Sequence, residues 1–281
     1  MPRVACVQMD VKYGDRDHNV GLIVESIHQL SAEGADFVVF PECCIAGYCV
    51  DSELNLSEIG VSRNSGHLLQ IQSAVDESGA VAIFGFSESA IEGYFNTAAM
   101  FQPNESPEFY RKTHLPELGY DRFVLKGADL PVFGTKFGKI GILICFDIRF
   151  PEAARILALK GADAIIIPTN WPLGAEISAD VLAIARAAEN KVFVVTCNRV
   201  GTENGFKFIG KSKIINPMGQ VLACAQAEEE VIIFDLDFAL SRNKRNVTVA
   251  GKHETTVFES RRPELYGQIF SNTEQIGGKT Q

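Results

Sequence analysis

"GILICFDIRFPE", residues 141–152, is the stretch on which the reading of the chain turns. An apolar run of strand character ends at Cys145, polar Asp147 and Arg149 follow, and Pro151 opens the helical pattern "PEAARILALKG" with Gly161 just past its end. A strand that stops where a helix is about to start makes a sharp turn. Such a turn exposes one side chain and aims backbone N–H groups at whatever approaches it. A cysteine inside an apolar run is ordinarily a small hydrophobe filling the core. At the polar end of the run, Cys145 is instead a candidate nucleophile, because the thiolate is the most nucleophilic of the common side chains.

Two other strand ends follow the same logic. "DFVVF" runs into Pro41-Glu42, and "EFYRK" ends on Arg111-Lys112. Three strand ends therefore offer an acid, an ammonium and a thiol. Of the histidines, only His114 stands beside a charged strand end. The base for Cys145 is thus either His114, giving a Cys–His pair, or the Glu42 carboxylate.

Outward from these segments, strand and helix patterns alternate along most of the chain. Val20, Ile23, Val24, Ile27 and Leu30 recur at helical spacing over residues 17–33, and a second helix covers residues 63–78. "AVAIFGFSE" and "YFNTAAMF" form a hairpin across Glu92-Gly93, and a long loop spans residues 113–130. "ADAIIIP", "KVFVVTC", "KSKIINP", "QVLACA" and "EVIIFDL" read as strands, "ISADVLAIARAAEN" as a helix, and no internal repeat stands out. Strands this apolar need helices over at least one face, which gives a layered α/β fold. One domain is expected over residues 1–281, with a polar tail from about residue 270.

The composition narrows the partners. Of 281 residues, 46% are apolar, enough for a large core, and the net charge of −9 disfavours nucleic acid and anionic membranes. No apolar run reaches the ~18 residues of a membrane span, and "MPRVACVQMD" alternates like a strand instead of forming a signal-peptide core, so the cytoplasm is expected. Seven cysteines without a CxxC spacing argue against a disulfide framework. "CCIAGYC", residues 43–49, lacks the paired spacing or nearby histidines of a structural zinc site, so no metal is expected there.

Taken together, the segments resemble the nitrilase superfamily of carbon–nitrogen hydrolases over nearly the whole chain. "VVFPECCIAGY" is similar to the segment that carries that family's glutamate, "YRKTHLP" to the one with its lysine, and "GILICFDIRFPE" to the one with its cysteine. "TNWP", "ARAAENKVFVVTCNRVG" and "FIGKSKIINPMGQVLA" match later landmarks in order. The resemblance implies a four-layer α-β-β-α sandwich, a small-molecule amide substrate, no cofactor, and a homodimer or larger homo-oligomer. It implies that Glu42 acts as general base, that Cys145 attacks and forms a thioester, and that Lys112 and the backbone N–H of Phe146 steady the oxyanion. A second acid after the lysine is implied as well. In "KTHLPELGYDRFV" it is Asp121 or Glu117, and the flanking Arg122-Phe123 favours Asp121. Tyr48 and Trp171 are implied as pocket-lining residues. Arg149 is read as meeting a substrate carboxylate or, in preference, forming a structural ion pair, and Arg186–Glu189 as a structural i,i+3 pair. Phe-Asp after the cysteine, in place of the Trp-Glu of true nitrilases, points to amides over nitriles.

Overall fold

The computed structural model describes residues 1–267, which leaves the expected polar tail from about residue 270 outside the described residues. The chain divides into two compact units, Met1–Arg242 and Asn243–Gln281.

The first unit is built twice over from one pattern. The first half runs β1 (Arg3–Gln8), α1 (Arg16–Ala32), β2 (Phe37–Val39), a short α2 (Leu56–Ile59), α3 (Gly66–Ser78), β3 (Val81–Ala90), β4 (Gly93–Phe101) and β5 (Glu108–Arg111). The second half runs β6 (Val132–Gly134), β7 (Lys139–Ile142), α4 (Pro151–Leu159), β8 (Ala164–Pro168), α5 (Ala183–Asn190) and β9 (Phe193–Cys197). It continues through a small ribbon of β10 (Thr202–Glu203) and β11 (Phe206–Lys207), then β12 (Lys213–Ile215), β13 (Val221–Cys224), β14 (Glu230–Asp235) and α6 (Ala239–Arg242).

Two six-stranded sheets result, ordered β14-β1-β2-β3-β4-β5 and β13-β12-β9-β8-β7-β6. In each sheet three parallel strands joined by helices, β1-β2-β3 or β7-β8-β9, are extended on one side by two antiparallel strands and closed on the other by one antiparallel edge strand, the distant β14 in the first sheet and the adjoining β6 in the second. The repeat lies in topology, not in residues, which is why no internal repeat is visible in the sequence.

Local rules place the helices. Asp15 caps the His18 N–H at the start of α1, and Ser65 caps the Leu68 N–H at the start of α3. Gly79 closes α3 in the left-handed conformation at φ 75°. Val20, Ile23, Ile27 and Leu30 of α1 join Leu68, Ile71 and Val75 of α3 in one core with Ala5 and Val7 of β1, Val38 of β2, and Phe84 and Phe86 of β3. The opposite face of that sheet meets the second sheet, where the Cys197 thiol lies 3.3 and 3.2 Å from the carbonyls of Val7 and Val39. Beyond the second sheet, Leu157 of α4 packs so tightly on Gly141 of β7 that a Cβ there would approach it to 2.9 Å. The layers are therefore helix, sheet, sheet, helix, the α-β-β-α sandwich expected.

Two elements depart from the sequence reading. The strand "GKIGILIC" ends at Ile142, and Cys145 opens a separate 3-10 turn, Cys145–Arg149. The "ISADVL" segment forms a π-helical turn, Ser178–Leu182, leading into α5. In the second unit β15 (Arg245–Val249) pairs antiparallel with β16 (His253–Thr256), and an Arg245–Glu254 ion pair of 2.7 Å spans the hairpin. Among the described residues no helix is long and apolar enough to cross a membrane.

Candidate active site

Each of the three chemically distinctive side chains is delivered by a strand end. Beyond β2 the chain crosses directly over β3 at Gly85. The Gly85 N–H donates to Pro41 O and its carbonyl accepts from Cys44 N–H, both at 2.9 Å. A Cβ on Gly85 would lie 2.5 Å from Glu42 Cα, so only glycine lets Glu42 sit there. Lys112 follows β5 and stays on the ladder, its N–H donating to Asn96 O of β4 at 2.8 Å. Cys145 follows β7 with φ 44°, a strained conformation for a residue with a side chain.

Asp147 holds that turn. Its carboxylate accepts from the Ile144 N–H at 2.9 Å, the Tyr110 hydroxyl at 2.7 Å and the His114 N–H at 3.0 Å. The turn carrying Cys145 is thereby tied to the segment carrying Lys112. The alternative Cys–His pair does not form. His114 Nδ1 lies 2.8 Å from Asp147 Oδ1, the ring stacks on Phe150 at 3.8 Å, and no hydrogen bond joins it to Cys145 among the described residues.

Glu42 and Lys112 meet in the buried interior beside Asp121. Lys112 Nζ donates to Glu42 Oε1 at 2.7 Å and to Asp121 Oδ2 at 2.5 Å, which commits two of its three protons and leaves the third. Asn96 Nδ2 spans the same two acids, 2.7 Å from Glu42 Oε1 and 2.8 Å from Asp121 Oδ1. The Tyr48 hydroxyl lies 2.8 Å from Asp121 Oδ2 and 2.9 Å from Leu118 O. Glu42 Oε2 is buried and meets no protein donor among the described residues. The backbone N–H of Asn170, just past β8, stands near the Cys145 sulfur and favours its ionised form, and Cys145 is 8% exposed while Glu42 and Lys112 are essentially sealed.

The electrostatics follow from this burial. Glu42 is raised above the ordinary carboxylate range, first by burial and then by the charge of Asp121, against the opposing pull of Lys112 and Asn96. Burial alone would lower Lys112, but the charges of Asp121 and Glu42 outweigh it and hold the ammonium well above its usual value. Burial, with the charge of Glu42, also pushes the Cys145 thiol well up, while Lys112 and the Asn170 N–H act the other way. The arrangement is a neutral thiol, a fixed cation and a carboxylate of enhanced basicity.

Asp121 is buried on the lysine, whereas Glu117 is exposed. Tyr48 is fully buried and holds Asp121. Trp171 is buried too, its N–H on Asn198 Oδ1 at 2.8 Å and its carbonyl accepting from Ile209 N–H at 3.1 Å. Phe146 is half-buried in the 3-10 turn, its ring edge-on to Phe150 at 5.4 Å. The expected structural ion pair of Arg149 is absent among the described residues, because the side chain points out of the fold and is exposed. Arg186–Glu189 is present at 2.9 Å. Cys44 of "CCIAGYC" is core, its thiol 3.3 Å from Gly85 O. Asn96 is not among the residues the sequence motifs mark, and its one signal is a lone amide inside the apolar strand "YFNTAAMF".

Comparison with known proteins gives the family. The sequence profile of the carbon–nitrogen hydrolases matches residues 3–246. The chain belongs to the nitrilase superfamily of carbon–nitrogen hydrolases. It is 37% identical over 270 residues to a nitrilase of Pyrococcus abyssi, covering 95% of this chain and 99% of that one. It is 35% identical over 276 residues to a probable nitrilase of Schizosaccharomyces pombe, covering 95% and 98%. An amidase structure from Nesterenkonia superposes with a TM-score of 0.79 at 25% identity, covering 95% of this chain and 98% of that one. Carbon–nitrogen bond hydrolysis on this fold is thus the family's chemistry, and the site just described lies on matched residues.

Proposed function

We propose that this hydrolase cleaves a small aliphatic amide through a thioester on Cys145. Glu42 Oε2 takes the thiol proton as the sulfur forms a bond to the amide carbon. The carbonyl oxygen becomes an oxyanion, met by the third proton of Lys112 and the Phe146 N–H. The carbon–nitrogen bond then breaks, Glu42 returns the proton to the leaving nitrogen, and ammonia departs. Water attacks the thioester with Glu42 again as base, which gives the carboxylic acid and restores the thiol. Asp121, Asn96 and Tyr48 keep the lysine charged and the glutamate aimed.

The observation that carries this reading is Glu42 Oε2, an oxygen of a buried network left without a protein donor among the described residues. A buried acceptor is costly to leave unmade, so it is worth holding only for a proton to be moved. The second reading is nitrile hydrolysis, favoured by the names of the Pyrococcus and Schizosaccharomyces relatives. Asp147, in place of the glutamate of true nitrilases, supports the amide. Ammonia release over aliphatic amides, ω-amides, N-carbamoyl compounds and nitriles separates the readings: fastest turnover of an amide supports the first, and of a nitrile the second. A homodimer or larger assembly is part of the proposal, read by sedimentation.

A further inference from the structure

Asn170 is the other residue near the nucleophile with unmet polar groups. It is 1% exposed, and neither its side-chain nitrogen nor its side-chain oxygen meets a protein partner among the described residues. Its neighbours show how unusual that is. Thr169 Oγ1 donates to Asn198 Oδ1 at 3.0 Å, and the Trp171 N–H donates to the same oxygen at 2.8 Å. Asn198 Nδ2 in turn reaches Gly210 O at 2.7 Å. The segment on either side of Asn170 is thus pinned, while its amide satisfies nothing in the fold. A buried amide with both ends unmet costs folding free energy and is retained where another molecule supplies the partners.

The position says which molecule. Cys145 and Asn170 stand three and four residues beyond Ile142 and Ile166, which pair across the adjacent parallel strands β7 and β8, so the short side chain of Asn170 lies within a small substrate's length of the attacked carbon. Glu42, Lys112, Asp121 and Asn96 all come from the first sheet and its loops. By the mechanism above they serve the oxyanion and the leaving nitrogen. Asn170 follows β8 and Cys145 follows β7, adjacent parallel strands of the second sheet. The acyl part of the substrate is what remains for it to meet.

We infer that the Asn170 side chain is a specificity-determining contact for a polar group on the acyl part of the substrate, one that both donates and accepts, such as a hydroxyl or a second amide close to the scissile carbonyl. This rests on the amide-hydrolysis reading and narrows it. A site built to bond a substrate's polar group discriminates strongly against the analogue lacking it, because its own buried groups are then left unpaired.

The test is steady-state ammonia release by the full chain on lactamide and malonamide against propionamide and butyramide, for the wild type, Asn170→Leu and the smaller Asn170→Ser. Melting temperatures are recorded without substrate. The wild type should favour the polar amides. In Asn170→Leu their kcat/KM should fall about 10- to 100-fold more than that of the apolar amides. Its melting temperature should hold or rise, since an unmet buried amide has been removed. Asn170→Ser should recover part of the preference. Equal losses on all four amides with a lowered melting temperature would make Asn170 structural and overturn the inference, as would an unchanged preference. A wild type that releases ammonia from no amide would instead overturn the parent reading.

Discussion

Asn96 offers the sharpest structural perturbation, because one amide group bridges both acids that flank Lys112. Asn96→Ala deletes the bonds of 2.7 Å to Glu42 and 2.8 Å to Asp121. Each is a hydrogen bond to a charged group, about 1.5–3 kcal/mol. Lys112 still reaches both carboxylates, so the lower end applies, and the pair should cost about 3 kcal/mol. For a chain of this size that lowers the melting temperature by about 6 °C. The sign on activity follows from the Asn96 bond favouring the charged form of Glu42. Without it, Glu42, already raised by burial, rises further. A larger fraction of the base is then protonated at a given pH. The acid limb of the pH–rate profile should move to higher pH, and turnover at neutral pH should fall about 10- to 100-fold as the carboxylate loses its aim. Ammonia release across pH and thermal melting read both effects. A variant with the wild-type acid limb and wild-type turnover would refute the claim that Asn96 tunes Glu42.

Further outcomes follow from the same geometry. In the wild type the acid limb of kcat/KM should lie above the ordinary glutamate range, since Glu42 is raised and must be ionised to take the thiol proton, and a limb at the solution value of glutamate would contradict the burial argument. Gly85→Ala should place a Cβ 2.5 Å from Glu42 Cα, costing about 1–3 kcal/mol of stability by denaturant titration and a larger proportion of the turnover. Glu88 is buried, which alone would raise it, but bonds from Arg111, Thr97 and Arg63 outweigh burial and lower it below 4.5. The stability it contributes is present above the unfolded value and lost as pH falls through the folded one. Melting followed from pH 6 downward should therefore show a steeper acid loss in the wild type than in Glu88→Gln, which should itself be weaker at pH 7 by about 3 kcal/mol.

How much of this was legible beforehand depends on which physical signal each part emits. Glu42, Lys112 and Cys145 announce themselves because an ionisable residue at the end of an apolar strand breaks a local pattern, and periodicity exposes α1 and α3 in the same way. The doubled topology emits no such signal. Two halves built to one strand order share backbone geometry and not side chains. The second acid could be narrowed by its flanks, yet only the fold separates buried Asp121 from exposed Glu117. The 3-10 turn at Cys145 is likewise set by tertiary bonds, since Asp147 draws the Ile144 N–H, Tyr110 and His114 onto one carboxylate. Asn170 is the extreme case: what marks it is a bond it does not make, and only the surrounding fold reveals that.

The central claim is a covalent one, and acid-quenched intact-mass spectrometry during turnover of a small amide tests it most directly. The wild type should carry an acyl adduct that maps to the peptide containing Cys145 and is released by hydroxylamine, while Cys145→Ala should show neither adduct nor ammonia. Ammonia release by Cys145→Ala at the wild-type rate, or turnover with an adduct mapped to another residue, would contradict the account.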